Sequence, residues 1–263
     1  MERQLLETAE AACRAAATVH RKYQREGFST SSKGVRHDRV TDADLEAESV
    51  IVQIIETAFP DHAVLAEEGG RNESTSEYLW VVDPLDGTSN YSRGIPYFSV
   101  SVAVVHDGGP IVGAVYDPSR DEMFTAVSQK GAFLNGDRIR VSETSSLADA
   151  ILITGFFYDR GEAMERNLDN IGKLFAHGIV GVRRFGSAAL DLCYVACGRA
   201  DAFWEHELNP WDFLAGALLV REAGGTVTDV EGNALRIEAG YVFASNTRLH
   251  EPIRGELVDA AER

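Results

Sequence analysis

Trp80-Val-Val-Asp-Pro-Leu-Asp-Gly-Thr88 decides how this chain is read, because an apolar run ends there on two carboxylates set among turn-forming residues. Pro84 fixes its own backbone torsion, and Gly87 relaxes the steric limits on the turn. Such a turn directs Asp83, Asp86 and the carbonyl of Leu85 toward one point, a donor set suited to a hard cation. The N–H groups of Gly87 and Thr88 would face a phosphate if a short helix starts there. A capped surface turn would carry the same letters, so this segment alone leaves metal binding and a structural turn both open.

Working outward, two more passages end apolar stretches on acids. Glu67-Glu68-Gly69 follows Val64-Leu65-Ala66, and Asn209-Pro-Trp-Asp212 precedes an apolar run that Asp212 could simply cap. Clustered carboxylates in a low-dielectric cleft repel one another and need protons or cations. Hard, oxygen-rich sites of this kind suit Mg²⁺ or Mn²⁺.

Composition sets the frame. The 263 residues are 44% hydrophobic, enough for a sizeable core in one large domain or two compact halves. Acidic residues outnumber basic ones 41 to 25, a net charge of −16, so nucleic acid and anionic membrane are not expected partners. Bound cations can invert the local potential of a site while the whole stays acidic. Cys13, Cys193 and Cys197 do not form a disulfide framework and are expected as small buried hydrophobes. No stretch approaches a transmembrane span, and Met1-Glu-Arg-Gln-Leu5 lacks a signal peptide's apolar core, so the expected location is the cytoplasm.

Residues 3–25 contain no glycine or proline and predict a long helix. Thr41-Asp-Ala-Asp44 resembles a capping box that starts a second helix, with Leu45, Ile51, Val52 and Ile55 as its apolar stripe. Strands are expected at 64–66, 78–82, 98–105, 111–116 and 122–126, then a hairpin at 131–136. The first half, 1–145, reads as helices against a mainly antiparallel sheet carrying the metal-binding carboxylates. The second half, 146–263, reads as α/β and substrate-binding. Its strands are expected at 151–154, 180–182, 202–204, 226–228 and 241–244, and its helices at 162–176, 188–196 and 213–222.

Nucleotide-triphosphate loops, dinucleotide fingerprints and serine-esterase elbows are all missing from the sequence. What the motifs do resemble is the inositol monophosphatase family, within the lithium-sensitive, magnesium-dependent phosphatases. The matching pieces are Glu67-Glu68, Asp83 to Thr88 followed by Ser89-Asn90, and Trp211-Asp212 before Ala215-Gly216. Gly186-Ser-Ala188, Gly198-Arg-Ala-Asp-Ala202 and Glu222-Ala-Gly-Gly225 extend the resemblance across nearly the whole chain.

The resemblance implies a layered sandwich of α+β and α/β halves, in the order α-β-α-β-α. It implies two Mg²⁺ ions and a third, weaker one, with Mn²⁺ able to substitute. Glu67, Asp83 and the Leu85 carbonyl would hold the first metal, Glu67 would also touch the third, and Asp83, Asp86 and Asp212 would hold the second. Asp44 and Thr88 would pair and orient the attacking water, a role that competes with the capping role of Asp44. Gly87 and Thr88 would cradle phosphate, Lys33 would stand near the mouth, and Ser187, Ala188 and Glu205 would contact the alcohol part of the substrate.

Inositol 1-phosphate is the leading expected substrate. Fructose 1,6-bisphosphate, histidinol phosphate and a non-catalytic sugar-phosphate-binding role are the alternatives. Arg183-Arg184 is a candidate charge for a second phosphate or a solvated strand end. A homodimer and inhibition by Li⁺ at the second metal position are also implied. His206 is assigned no role, because magnesium prefers oxygen.

Overall fold

The computed structural model describes residues 1–32, 39–72, 74–156 and 161–258. Lys33 and Arg36 lie outside the described residues. Helix α1 (Glu2–Glu26) covers the stretch that lacks helix breakers. A short antiparallel pair follows, β1 (Thr30–Ser32) with β2 (Arg39–Thr41), in a segment whose polar letters gave no strand signal. Helix α2 (Asp42–Ala58) then starts on the expected box: Ala43 N–H donates to Thr41 Oγ1 at 3.2 Å, and Thr41 N–H donates to Asp44 Oδ2 at 2.8 Å. Such a cap contributes about 1 kcal/mol.

Eight strands form the larger sheet. They are β3 (Ala63–Ala66), β4 (Gly70–Arg71), β5 (Leu79–Asp86), β6 (Ser99–His106), β7 (Gly109–Asp117), β8 (Glu122–Val127), β9 (Gly131–Leu134) and β10 (Asp137–Arg138). Their order is β10-β9-β8-β7-β6-β5-β3-β4, and only β3 and β5 run parallel. The one-turn helix α3 (Thr88–Tyr91) interrupts the β5–β6 connection.

The second sheet holds β11 (Ile151–Thr154), β12 (Gly181–Arg183), β13 (Ala202–Leu208), β14 (Thr226–Thr228) and β15 (Gly240–Ser245), ordered β12-β11-β13-β15-β14. Helices α4 (Glu162–Ala176), α5 (Ala188–Ala196), α6 (Pro210–Glu222) and α7 (His250–Val258) complete the chain.

Alternation along the strands builds the layers, because successive side chains point to opposite faces. Trp80 and Val82 of β5 join Val100, Val102 and Val104 of β6 in a core against α1 and α2. Val81, Ala103 and Val105 point the other way, into a core shared with α5 and α6. That second core also takes Ile153, Phe203 and Val242 from the smaller sheet. Leu152, Trp204 and Phe243 face outward from it, under Leu174 of α4 and Ile253 of α7. The result is α-β-α-β-α, as expected. Cys13 and Cys193 are buried and Cys197 is half-buried, all three free.

Three boundaries and one helix are among the differences from the sequence reading. β5 does not stop at Val82 but continues to Asp86, and β13 continues past Trp204 to Leu208. α6 opens at Pro210 with Asn209 as its cap, so Asp212 lies within the first turn instead of capping it. α7 was not expected; its anchors Leu249, Ile253 and Leu257 recur every four residues near the chain end.

The extension of β5 matters most, because the expected turn is a β-bulge. Asp83 pairs with Ser101 and Asp86 with Ser99, so Pro84 and Leu85 together oppose the single residue Val100. An unbroken strand would send residues 83 and 86 to opposite faces. The extra residue cancels that, and both aspartates face the layer of α5 and α6. Proline is tolerated there because a bulge does not ask it for a ladder N–H.

Candidate active site

The bulged end of β5 meets three other elements. β3 runs parallel to β5, and Glu67 N–H donates to the Val82 carbonyl at 3.2 Å, which fixes Glu67 beside Asp83. The first turn of α6 reaches β6 where Ser101 Oγ donates to the Trp211 carbonyl at 3.1 Å, next to the residue paired with Asp83. There Asn209 N–H donates to Asp212 Oδ2 at 2.7 Å and sets that side chain.

The start of α5 closes on Asp86. Ser187 Oγ and Ala189 N–H donate to Asp86 Oδ2 at 2.6 and 2.8 Å, Ala188 N–H donates to Oδ1 at 3.3 Å, and Ser99 Oγ approaches at 3.5 Å. The helix's unsatisfied N–H groups are thus capped by a carboxylate about a hundred residues earlier in sequence.

Asp44 completes the capping box and pairs with Thr88 at the same time. Oδ2 takes the Thr41 N–H of the capping box, and Oδ1 accepts from Thr88 Oγ1 at 3.0 Å. Thr88 Oγ1 also lies 3.0 Å from the Leu85 carbonyl, so one hydroxyl proton has two acceptors. Gly87, at φ +95°, makes the turn between them. A Cβ there would come within 3.1 Å of the Gly186 carbonyl and 3.2 Å of the Tyr97 carbonyl, so the position admits no side chain. Asn90 ties the same turn to the far wall, its Nδ2 donating to the carbonyls of Tyr97 and Phe185 at 2.7 and 2.8 Å.

These elements enclose a cavity of about 370 Å³ whose lining includes Glu67, Asp86, Thr88, Arg184, Glu205 and Asp212. Gly87 and Ala188 also reach the wall, whereas Ser187 does not. Ser187 is 1% exposed and spends its hydroxyl on Asp86 and on Ser99, 3.2 Å away. Among the described residues Arg184 is the one basic side chain in the lining. Glu205 packs against Gly155, where a Cβ would fall 1.8 Å from its Oε2. Ser99 and Ala189 were missed by the sequence reading. A signal existed for the first: Ser99 and Ser101 alternate on one face of an otherwise apolar strand.

The electrostatics follow from this crowding. Asp83 is held well above the usual carboxylate range, first by burial and then by Glu67, Asp86 and Asp212. Asp212 is raised in the same way by burial, Glu67 and Asp86. Asp86 is also raised by burial, but its hydroxyl and N–H donors pull it back. Glu205 is pushed up to about 8 by loss of water, with Arg184 opposing and Asp86 adding to the shift.

Among the described residues, no three or more His, Cys, Asp or Glu side chains already form a group that holds a metal ion. The donor chemistry nevertheless fits hard divalent cations. The carboxylates of Glu67, Asp83, Asp86 and Asp212 share one field, and all their donor atoms are oxygen.

The chain belongs to the inositol monophosphatase family, whose family model matches residues 1–262. It is a phosphoric monoester hydrolase of that family. It is 44% identical over 222 residues to an inositol-1-monophosphatase of Synechocystis, covering 84% of this chain and 77% of the relative. It is 43% identical over 258 residues to the Nus factor SuhB of Escherichia coli K12, covering 96% of each. The solved inositol monophosphatase of Anabaena superposes with a TM-score of 0.87 at 41% identity, covering 98% of this chain and 96% of that one. Among the described residues no helix is long and apolar enough to cross a membrane.

Proposed function

We propose that the cavity hydrolyses a phosphate monoester of a small polyol, with inositol 1-phosphate the leading substrate, using two Mg²⁺ ions and a third, weaker one. The observation that carries this reading is the shared field of Glu67, Asp83, Asp86 and Asp212 beside the Thr88–Asp44 hydrogen bond. Glu67, Asp83 and the Leu85 carbonyl would hold one cation, and Asp83, Asp86 and Asp212 another. A related solved structure, an IMPase/NADP phosphatase 27% identical to this chain, is complexed with NADP and Ca²⁺. Bound divalent cations would neutralise phosphate oxygens and lower the pKa of a water.

The chain's own residues supply the rest. When the Thr88 hydroxyl donates its hydrogen bond to Asp44 Oδ1, its oxygen would be left to orient a water, and the Leu85 carbonyl would be left to a cation. Asp44 keeps its position because Oδ2 stays anchored in the capping box. Gly87 and Thr88 would take the phosphate, and Ala188 and Glu205 would meet the alcohol. Ser187 would act through Asp86, since its hydroxyl is directed there.

One observation favours a second reading for the substrate. Among the described residues Arg184 is the only basic side chain in a lining whose other charged groups are acidic, which suits a second anionic group such as the other phosphate of fructose 1,6-bisphosphate. The relatives named Nus factor SuhB are as similar as the one named inositol-1-monophosphatase, so the choice of activity rests on the cavity and not on names. A cytoplasmic homodimer inhibited by Li⁺ is part of the same proposal.

Phosphate release from inositol 1-phosphate, fructose 1,6-bisphosphate, histidinol phosphate and 3′-phosphoadenosine 5′-phosphate, with and without Mg²⁺, tests it. Highest kcat/KM for the inositol ester supports the leading reading. Mg²⁺-dependent turnover that is poorest on that ester rejects it, and no release from any of the four rejects the assignment of this cavity as the catalytic site.

A further inference from the structure

β13 carries a bulge of its own where it passes the cavity. Glu205 pairs with Val242 and Leu208 with Gly240, so His206 and Glu207 together oppose the single residue Tyr241. His206 turns to the outer face of the sheet, where its ring meets Tyr241 edge-on at 4.4 Å. In an unbroken strand Leu208 would point away from Glu205. The extra residue brings it to the same side, and Glu205, Glu207 and Leu208 all line the cavity.

The backbone is strained at one point of this bulge. Glu207 has φ +56°, in the left-handed region that favours glycine and is costly for a long side chain. Among the described residues six non-glycines have positive φ. Asp107, Asp121, Gln129, Asn135 and Thr247 stand in the connections between elements. Glu207 alone stands inside a strand. A glycine would meet every demand that the fold makes there. The Glu207 side chain is exposed, and among the described residues it accepts no hydrogen bond and forms no ion pair. Nothing within the chain compensates for the strain, and the carboxylate opens onto the cavity. Strain held at such a place points to a task outside the fold.

We propose that Glu207 sets the selectivity of the cavity: its carboxylate receives the hydroxyls of a neutral polyol ester and repels substrates that carry a second phosphate. The inference rests on the phosphomonoesterase reading of the cavity and decides between its two substrate classes. Arg184, in the same lining, would draw a second phosphate in. A rounded space of 370 Å³ is only about 9 Å across, close to the screening length of about 8 Å in physiological salt. Glu207 therefore acts on any anion that Arg184 could hold. A second phosphate would meet one cation beside two carboxyl groups, those of Glu205 and Glu207, and gain little. The hydroxyls of a polyol would instead gain a charged acceptor, which makes the stronger kind of hydrogen bond.

Glu207→Asn and Glu207→Gly test the proposal, because both residues accept a left-handed backbone and neither carries charge. Each should raise kcat/KM for fructose 1,6-bisphosphate relative to inositol 1-phosphate about 10-fold, through KM and not kcat. The rise should shrink between about 0.05 and 0.5 M salt, since salt screens an exposed charge and does not alter the shape of a cavity. Turnover with an unchanged ratio, a rise confined to the glycine variant, or a rise indifferent to salt overturns the inference and leaves the hydrolase reading standing. No Mg²⁺-dependent release from either ester by the wild type overturns both. The Tm of Glu207→Asn should match or exceed that of the wild type. A lower value would mean that the fold uses the carboxylate, which also overturns the inference.

Discussion

The two walls of the cavity are built differently. On the acidic wall, backbone N–H groups set Asp86 and Asp212; just behind it another N–H sets Asp83 and a capping box sets Asp44. On the opposite wall, among the described residues, neither Glu205 nor Arg184 makes a side-chain hydrogen bond. Glu205 is placed by its contact with Gly155. Backbone-anchored side chains cannot shift without moving a strand or helix, so the acidic wall fixes the chemistry. The other wall is held by packing alone, and selectivity can change there without disturbing the reaction.

The largest expected effects fall on the anchored wall. Asp83→Asn or Asp86→Asn should lower Mg²⁺-dependent phosphate release on the order of 10³-fold or more. Turnover that survives either change unaltered would remove that residue from the ligand set. Thr88→Ala should cost on the order of 10²-fold in kcat while metal binding, read by calorimetry, persists. Ser187→Ala removes a donor from Asp86 without touching the cavity. It should raise the Mg²⁺ concentration for half-maximal rate about 10-fold and leave the rate at saturating metal near wild type. A fall in kcat with no change in metal requirement would contradict that role.

The smallest effects belong to the packed wall. Glu205→Gln should change relative kcat/KM among the four test esters by several-fold and leave the metal requirement alone. It also carries a pH signature. The carboxyl is held at about 8 in the folded chain against an ordinary value near 4.5, so the unfolded chain ionises first as pH rises. Native Glu205 therefore costs stability increasingly between those values. Metal-free Glu205→Gln should gain Tm over wild type from pH 5 to 8 and gain no more above 8. A gain that is flat with pH would mean that water reaches the carboxyl.

Much of this was legible in the sequence because several local signals agreed. Thr41 and Asp44 announced the start of α2, and alternating apolar residues announced the central strands. Of the motif acids, Glu67, Asp86 and Asp212 line one cavity, and Asp83 is buried in the same field. What could not be read was the third dimension of one short segment. Pro84 and Gly87 signalled a turn, but only pairing with Ser99 and Ser101 shows a bulge within a continuing strand. The donors to Asp86 come from α5, and nothing local to residue 86 announces a partner so distant. Glu205 was named as a substrate contact through the family resemblance, because its contact with Gly155 leaves no mark in either neighbourhood.

The extra residue of β5 acts as a half-step in the phase of the strand. Pairing every residue from 83 to 86 in strict alternation, with no bulge, would turn the Asp86 carboxylate through the sheet, toward the hydrocarbon beneath α1 and α2. Such a straightening removes no acid and changes no charge, yet it would leave α5 uncapped and bury an anion in oil. At that point the phase of the strand is itself the functional group.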